Sequence, residues 1–265
     1  MTVITLTSDL GTKDYYLAAV KATALRTIPD MRWVDVTHHI PPFDMGKAAF
    51  VLKNVWKDFP EGTIHLISVD SDWNPETPYA VVRFAGQYFI GSDNGFFSLL
   101  FDREPAEKVV HVKLDGDEDL GFPTKSIFVP IAEHIARGTA LEELGIIRED
   151  YKHRPSITPV VEHGNIRGIV IYTDSYGNII TNITRALFNE VVGSNSFRII
   201  LRKSASEINA ISRAYNEVPQ GEVVALFTSA GYLEVAINRG VEGSGGGATD
   251  LLGMQIGDIV LVETD

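Results

Sequence analysis

Val3-Ile4-Thr5-Leu6-Thr7-Ser8-Asp9-Leu10-Gly11-Thr12-Lys13-Asp14 is the stretch on which the reading of the fold turns. A short apolar, β-branched run from Val3 to Thr7 reads as a buried strand, and the polar turn from Ser8 to Asp14 ends it. Tyr16, Ala19, Val20, Thr23, Ala24 and Thr27 then recur at the spacing of one helix face. Strand, polar turn and helix in that order form the repeating unit of an α/β layer with a largely parallel sheet.

The pattern continues outward. Trp33 to Val36 reads as a second strand, and the helix that follows carries Met45, Ala48, Ala49, Leu52, Val55, Trp56 and Phe59 on one face. Asp44 is placed to cap it. Thr63 to Val69 is a third strand, ending at Asp70, while Tyr79 to Phe84 and Gln87 to Ile90 flank Ala85-Gly86 as a hairpin. A further helix runs from about Ile127 to Arg137. The charged stretch Arg148 to Pro155 ends in proline and suits a linker, giving an N-terminal α/β domain over 1–150, a linker over 151–165 and a C-terminal domain over 166–265. In the last part, Gly168 to Thr173, Ile179 to Ile183, Phe197 to Leu201, Val223 to Phe227, Tyr232 to Ile237 and Ile259 to Val262 are short runs bounded by turn residues. They predict an antiparallel sandwich or barrel. Gly243 to Gly247 is read as a flexible loop.

Composition narrows the function. The 265 residues include 23 Lys+Arg against 35 Asp+Glu, a net charge of −12 with no basic run, which speaks against nucleic-acid backbone or anionic membranes as partners. The absence of cysteine removes disulfides, thiolate nucleophiles, Cys-zinc sites and iron–sulfur clusters. The N-terminus has no basic region followed by a long apolar stretch, so no signal peptide is expected, and no run is long enough to span a bilayer. A cytoplasmic location is the expectation.

Acidic residues follow strands in three places: Asp9 with Asp14, Asp70 with Asp72, and Asp93 with Asn94-Gly95. A single Asp at such a position usually caps a helix or makes a turn. Three at equivalent strand ends point to a shared pocket, because open α/β sheets bind ligands beyond the carboxyl ends of their strands. His38 and His39 adjoin the same edge, but adjacent side chains on extended backbone point apart, which favours a structural role over chelation. No HExxH, GxxxxGK[ST] or GxSxG motif is present. In the C-terminal part, Asp174 to Asn178 followed by Thr181-Asn182 reads by spacing as a hairpin whose glycine supplies positive φ; Thr228 to Tyr232 reads similarly.

Taken together, Thr7 to Gly11 with Asp14, Asp35 to Pro42, Gly91 to Gly95, Asp174 to Asn178 with Thr181 to Ile183, and Ser229 to Glu234 with Asn238 resemble the S-adenosylmethionine hydroxide adenosyltransferases, relatives of the fluorinating and chlorinating enzymes. The resemblance implies an N-terminal α/β domain, a C-terminal β-barrel and a homotrimer holding S-adenosylmethionine at the subunit interface. It implies Asp9 on the ribose hydroxyls, Asp14 near the methionine moiety, Asp174 and Ser229 on the amino-acid part, and Asn178 towards the adenine. The implied reaction is displacement at the ribose C5′ that converts S-adenosylmethionine and water to adenosine and methionine, with no metal and no separate cofactor. Of the family's Asp, Arg and His at the chemical step, Asp70 matches the Asp, whereas Thr77 and Pro123 stand at the Arg and His positions. A non-catalytic adenosyl-ligand binding protein is therefore the alternative. A magnesium-dependent phosphate-transferring enzyme built on Asp70 and Asp72 is a third reading, which leaves the C-terminal match without a role.

Overall fold

The computed structural model describes residues 1–28, 30–201, 207–240 and 246–264. The chain divides into two compact units, Met1–Pro155 and Ser156–Asp265. Residues 243–245, the greater part of the glycine-rich loop, lie outside the described residues.

The first unit is built on β1 (Thr2–Ser8), β2 (Met31–Thr37), β3 (Ile64–Ser68), β4 (Tyr79–Phe84), β5 (Gln87–Ser92), β6 (Lys108–Val112) and β7 (Gly145–Arg148). They form one sheet in the order β2-β1-β3-β5-β4-β6-β7. The first four in that order run parallel, and β4, β6 and β7 pair antiparallel. The expected α/β layer is thus present, extended by an antiparallel edge whose two short strands have no clear period in the sequence. The hairpin between β4 and β5 turns through Ala85 and Gly86, both at positive φ, which matches the right-handed twist of the paired strands.

Helices cover both faces of this sheet. On one side α1 (Tyr16–Thr27) buries Val20 and Ala24 against Ile4 and Leu6. On the other side α2 (Met45–Lys53) buries Ala48, Ala49 and Leu52, and α3 (Phe96–Leu100) packs Phe96 and Phe97 beside them. Asp44 caps α2 as expected, its Oδ1 accepting from the Lys47 N–H at 2.9 Å. The helix expected near Ile127 is α4 (Val129–Ala136), entered through a π-helical turn over Thr124–Phe128. Tyr151 is buried, and the Lys152 and Arg154 N–H groups donate to Asp93 and Ser98, so the charged stretch before Pro155 is pinned to the first unit.

The second unit contains β8 (Val160–Glu162), β9 (Asn165–Thr173), β10 (Ile179–Thr184), β11 (Phe197–Leu201), β12 (Glu207–Ile208), β13 (Val223–Phe227), β14 (Tyr232–Ile237) and β15 (Ile259–Thr264), with helices α5 (Arg185–Val192) and α6 (Ala248–Leu252). The antiparallel order is β12-β11-β15-β9-β10-β14-β13, and β8 pairs with β9. Beyond β12, the Ser212 N–H donates to Ala225 of β13 at 2.8 Å, so the sheet curls into a nearly closed barrel. The bend lies in β10, whose register against both neighbouring strands shifts after Ile180. Asn182 holds it by accepting from the Ile169 N–H and donating to the Ile157 carbonyl, and Thr181 by donating to the Leu233 carbonyl. Gly168 lies under this bend, where a Cβ would sit 2.5 Å from Ile183 and 2.7 Å from Asn182. No helix among the described residues is long and apolar enough to cross a membrane.

Candidate active site

In the first unit the carboxyl ends of β1, β2, β3 and β5 lie side by side, and the loops leaving them are joined by backbone hydrogen bonds. The Asp9 N–H donates to Ser68 O at 3.2 Å, the Gly11 N–H to His38 O at 2.9 Å, and the Ile40 N–H to Ser8 O at 3.4 Å. The carboxylate of Asp9, half-buried, accepts from the Phe43 N–H at 3.0 Å. Burial pushes its carboxyl above the usual value; backbone N–H groups of Phe43, Asp9 and Asp70 pull the other way, while the charge of Asp70 pushes further up. Asp9 and Asp70 are therefore electrostatic neighbours.

Asp70 follows β3 with φ +48°, a left-handed conformation that Asp adopts more readily than most residues. Asn94 fixes this turn: its Nδ2 donates to Asp70 O at 3.2 Å and approaches Asp70 Oδ2 at 3.5 Å, while its Oδ1 accepts from the Phe96 N–H. Asp93 has another task. It is buried, its Oδ2 lies 2.9 Å from His111 Nε2, and its Oδ1 holds the Lys152 N–H. It is spent on the packing of the first unit, so the third acidic strand end contributes Asn94 rather than a carboxylate.

His38 is buried and His39 exposed, in keeping with opposed side chains. His38 Nδ1 is 2.8 Å from Ser8 Oγ, and its Nε2 lies 3.0 Å from Asp35 Oδ1, out of line for a hydrogen bond. Burial lowers the His38 pKa, against the opposing pull of Asp35. Asp14 is exposed on the loop before α1, and Asp72 is exposed after β3. Thr77, part-buried, closes a turn with its N–H on Asn74 O. Pro123 is buried at the entry to the π-helical turn. Among the described residues no three His, Asp or Glu side chains gather as a metal site.

In the second unit, Asp174 closes the β9–β10 turn. Its Oδ1 accepts from the N–H groups of Tyr176 and Asn178, both at 2.9 Å, and its Oδ2 from Asn178 Nδ2 at 3.0 Å, with Gly177 at φ +76°. The hairpin reading of this segment is therefore correct, and the turn also gathers polar groups. Glu234, buried on the neighbouring strand, accepts from Tyr215 Oη at 2.8 Å. Burial raises its pKa, the Tyr215 hydrogen bond opposes this, and the charge of Asp174 adds to the rise. Ser229 is exposed in the β13–β14 turn, at the other end of the β10–β14 ladder from Asp174. Asn238 serves the barrel, donating to Val218 O at 2.7 Å. Sequence reasoning assigned no role to Glu234 or Tyr215, since a charged residue amid an apolar strand shows its burial only once the barrel is closed.

A doubly covered α/β sheet with carboxylates at its parallel strand ends, followed by a small β-barrel, defines a two-unit protein of the class that takes polar small ligands at a sheet edge. Within that class, the N-terminal domain of the SAM hydroxide adenosyltransferases matches residues 4–145 and their C-terminal domain matches residues 168–261, and the chain belongs to this family. It is 32% identical over 245 residues to an (R)-S-adenosyl-L-methionine hydrolase of Thermus thermophilus, covering 88% of this chain and 91% of that protein. A fluorinase of an Actinoplanes species is 24% identical over 273 residues, covering 89% and 91%. The crystal structure of an uncharacterized conserved protein from Thermotoga maritima superposes with a TM-score of 0.86 at 28% identity, covering 99% of both chains.

Proposed function

We propose that this protein converts S-adenosylmethionine and water to adenosine and methionine by displacement at the ribose C5′. Family membership over both units, together with 32% identity to a hydrolase of that name, is the observation that carries this reading. The chemistry fits. A sulfonium is already a good leaving group, so the protein has chiefly to position and desolvate a nucleophile behind the carbon under attack.

The roles proposed are those the residues are suited to. Asp9 takes the ribose hydroxyls, since a half-buried carboxylate is a strong acceptor for a diol. Asp70 is the catalytic candidate, its turn fixed by Asn94. Asp14 lies towards the methionine moiety, and Asp174 takes the amino-acid part; Ser229, at the other end of the β10–β14 ladder, is assigned to the same part by the family resemblance alone. Asp174 Oδ2 accepts a single hydrogen bond within its turn, leaving a lone pair for an ammonium. Asn178 reaches towards the adenine. The assembly proposed is a homotrimer with the ligand at the subunit interface, and neither a metal nor a separate cofactor takes part.

Thr77 and Pro123, where the family carries Arg and His, favour a slower enzyme or, as the second reading, a non-catalytic binder of the adenosyl ligand. Incubation with S-adenosylmethionine without added metal decides between them by chromatography. Adenosine and methionine in equal amounts support hydrolysis. Calorimetric binding without product over hours supports the binding protein. No heat at millimolar ligand overturns both.

A further inference from the structure

We propose, resting on the hydrolase reading above, that the hydroxyls of Ser68, Ser92 and Thr124 form the seat of the attacking water. In the register of β3 and β5, Leu66 faces Ile90. Two residues further along each strand, past the last paired residues, stand Ser68 and Ser92, on the same face by the period of two. Gly91 confirms the alternation, because a Cβ there would meet Ile67, on the opposite face, at 3.2 Å. Thr124 covers the row from the π-helical turn, its Oγ1 2.5 Å from Ser68 Oγ. Such turns inside helices are frequent at functional sites.

Ser92 is the observation that points to a ligand. It is only 4% exposed, and its Oγ has no hydrogen-bond partner among the described residues. A buried hydroxyl left unpaired costs roughly 1–3 kcal/mol, and nearly all such groups find a protein group or an ordered water. Ser68 and Thr124 share one hydrogen bond and keep further lone pairs and a free O–H between them, so with Ser92 they supply the two to four partners a buried water needs. The seat is uncharged and suits a neutral molecule. It lies at the carboxyl edge, with Asp70 two residues beyond Ser68.

A water held there reacts as follows. Its oxygen forms the bond to C5′, the C5′–S bond breaks, and the electron pair leaves on sulfur as the neutral thioether of methionine. The proton passes to the Asp70 carboxylate and on to solvent. Sequence patterning does not reveal this seat, because Ser68, Ser92 and Thr124 are far apart in the chain and meet only through strand register.

A crystal structure of the full chain at a resolution that shows ordered solvent tests the seat independently of activity. The expected result is a water within hydrogen-bond distance of Ser92 Oγ and of Ser68 or Thr124; density showing a dry hydroxyl overturns the proposal. In solution, Ser92→Val places methyl groups in the seat and is expected to slow adenosine formation about 100-fold while the affinity for S-adenosylmethionine stays within about twofold, with Ser92→Thr retaining activity. Parent-like turnover by a folded Ser92→Val overturns the proposal. Should Ser92→Val not fold, Ser92→Ala is read by melting. An unchanged or lower Tm supports a bound water, and a higher Tm marks a dry hydroxyl and overturns it. If the parent binds S-adenosylmethionine without releasing adenosine, the hydrolase reading fails while solvent density still judges the seat. A halogenated nucleoside formed in chloride or bromide overturns water as the nucleophile.

Discussion

The backbone N–H of Asp9 donates to the carbonyl of Ser68 at 3.2 Å, so the first residue beyond β1 is held against the last residue of β3. The link sets Asp9 beside Asp70, whose charge adds to the rise in the Asp9 pKa. Two acids thus stand on adjacent strand ends, where the proposed function puts the ribose and the carbon under attack.

In the proposed role the ionised carboxylate of Asp9 accepts from the ribose diol more strongly than the neutral acid, and burial holds its carboxyl above the ordinary 3.8. Affinity for S-adenosylmethionine is therefore full above the Asp9 pKa and falls on acidification, with a midpoint higher than that of a free Asp. Calorimetry across pH measures it. Asp9→Asn is expected to weaken binding by roughly tenfold to a hundredfold, the loss of a charge-assisted hydrogen bond, and to flatten the pH dependence.

Asp70→Asn keeps the shape of the turn that Asn94 fixes but removes the acceptor for a proton. Adenosine formation is expected to drop about 10²–10⁴-fold with S-adenosylmethionine affinity retained. Single-turnover chromatography beside calorimetry separates the two. Loss of binding in equal measure would place Asp70 in ligand recognition instead.

His65 lies in the sheet, Nδ1 2.8 Å from Thr5 Oγ1 and Nε2 2.6 Å from Gln87 Oε1, and burial lowers its pKa from 6.5 to about 4. The unfolded chain binds this proton first. Folding stability is therefore complete above pH 6.5 and declines as pH falls towards 4, by on the order of 3 kcal/mol. Urea unfolding of the parent against His65→Asn reads it: the variant starts less stable and loses less over that window.

In the barrel, Gly168→Ala drives a methyl into Ile183 and Asn182. Displacing Asn182 also strains the hydrogen bonds it makes to Ile169 and Ile157. We expect a loss of about 1–3 kcal/mol, seen as a lower Tm by calorimetry. An unchanged Tm would show that the bend in β10 tolerates the added carbon.

What the amino-acid sequence determined by itself is the local part: the strand from Val3 to Thr7, the helix face of α1 and that of α2 as far as Leu52, the Asp44 cap, the turn at Ala85-Gly86 and the short strands of the barrel, whereas Val55, Trp56 and Phe59, read on the same helix, lie beyond its end at Lys53 in and around a 3-10 turn. Each follows from period, capping or turn chemistry within a dozen residues, and the acidic strand ends are legible for the same reason. Tertiary structure alone decided that Asp93 is consumed by His111 and Lys152 while Asn94 supports Asp70, that Glu234 is buried against Tyr215, and that Ser68, Ser92 and Thr124 share one face. These depend on which residues stand opposite one another across strands and covering helices. A shift of one residue in register turns a side chain to the other face, and no local pattern encodes that choice.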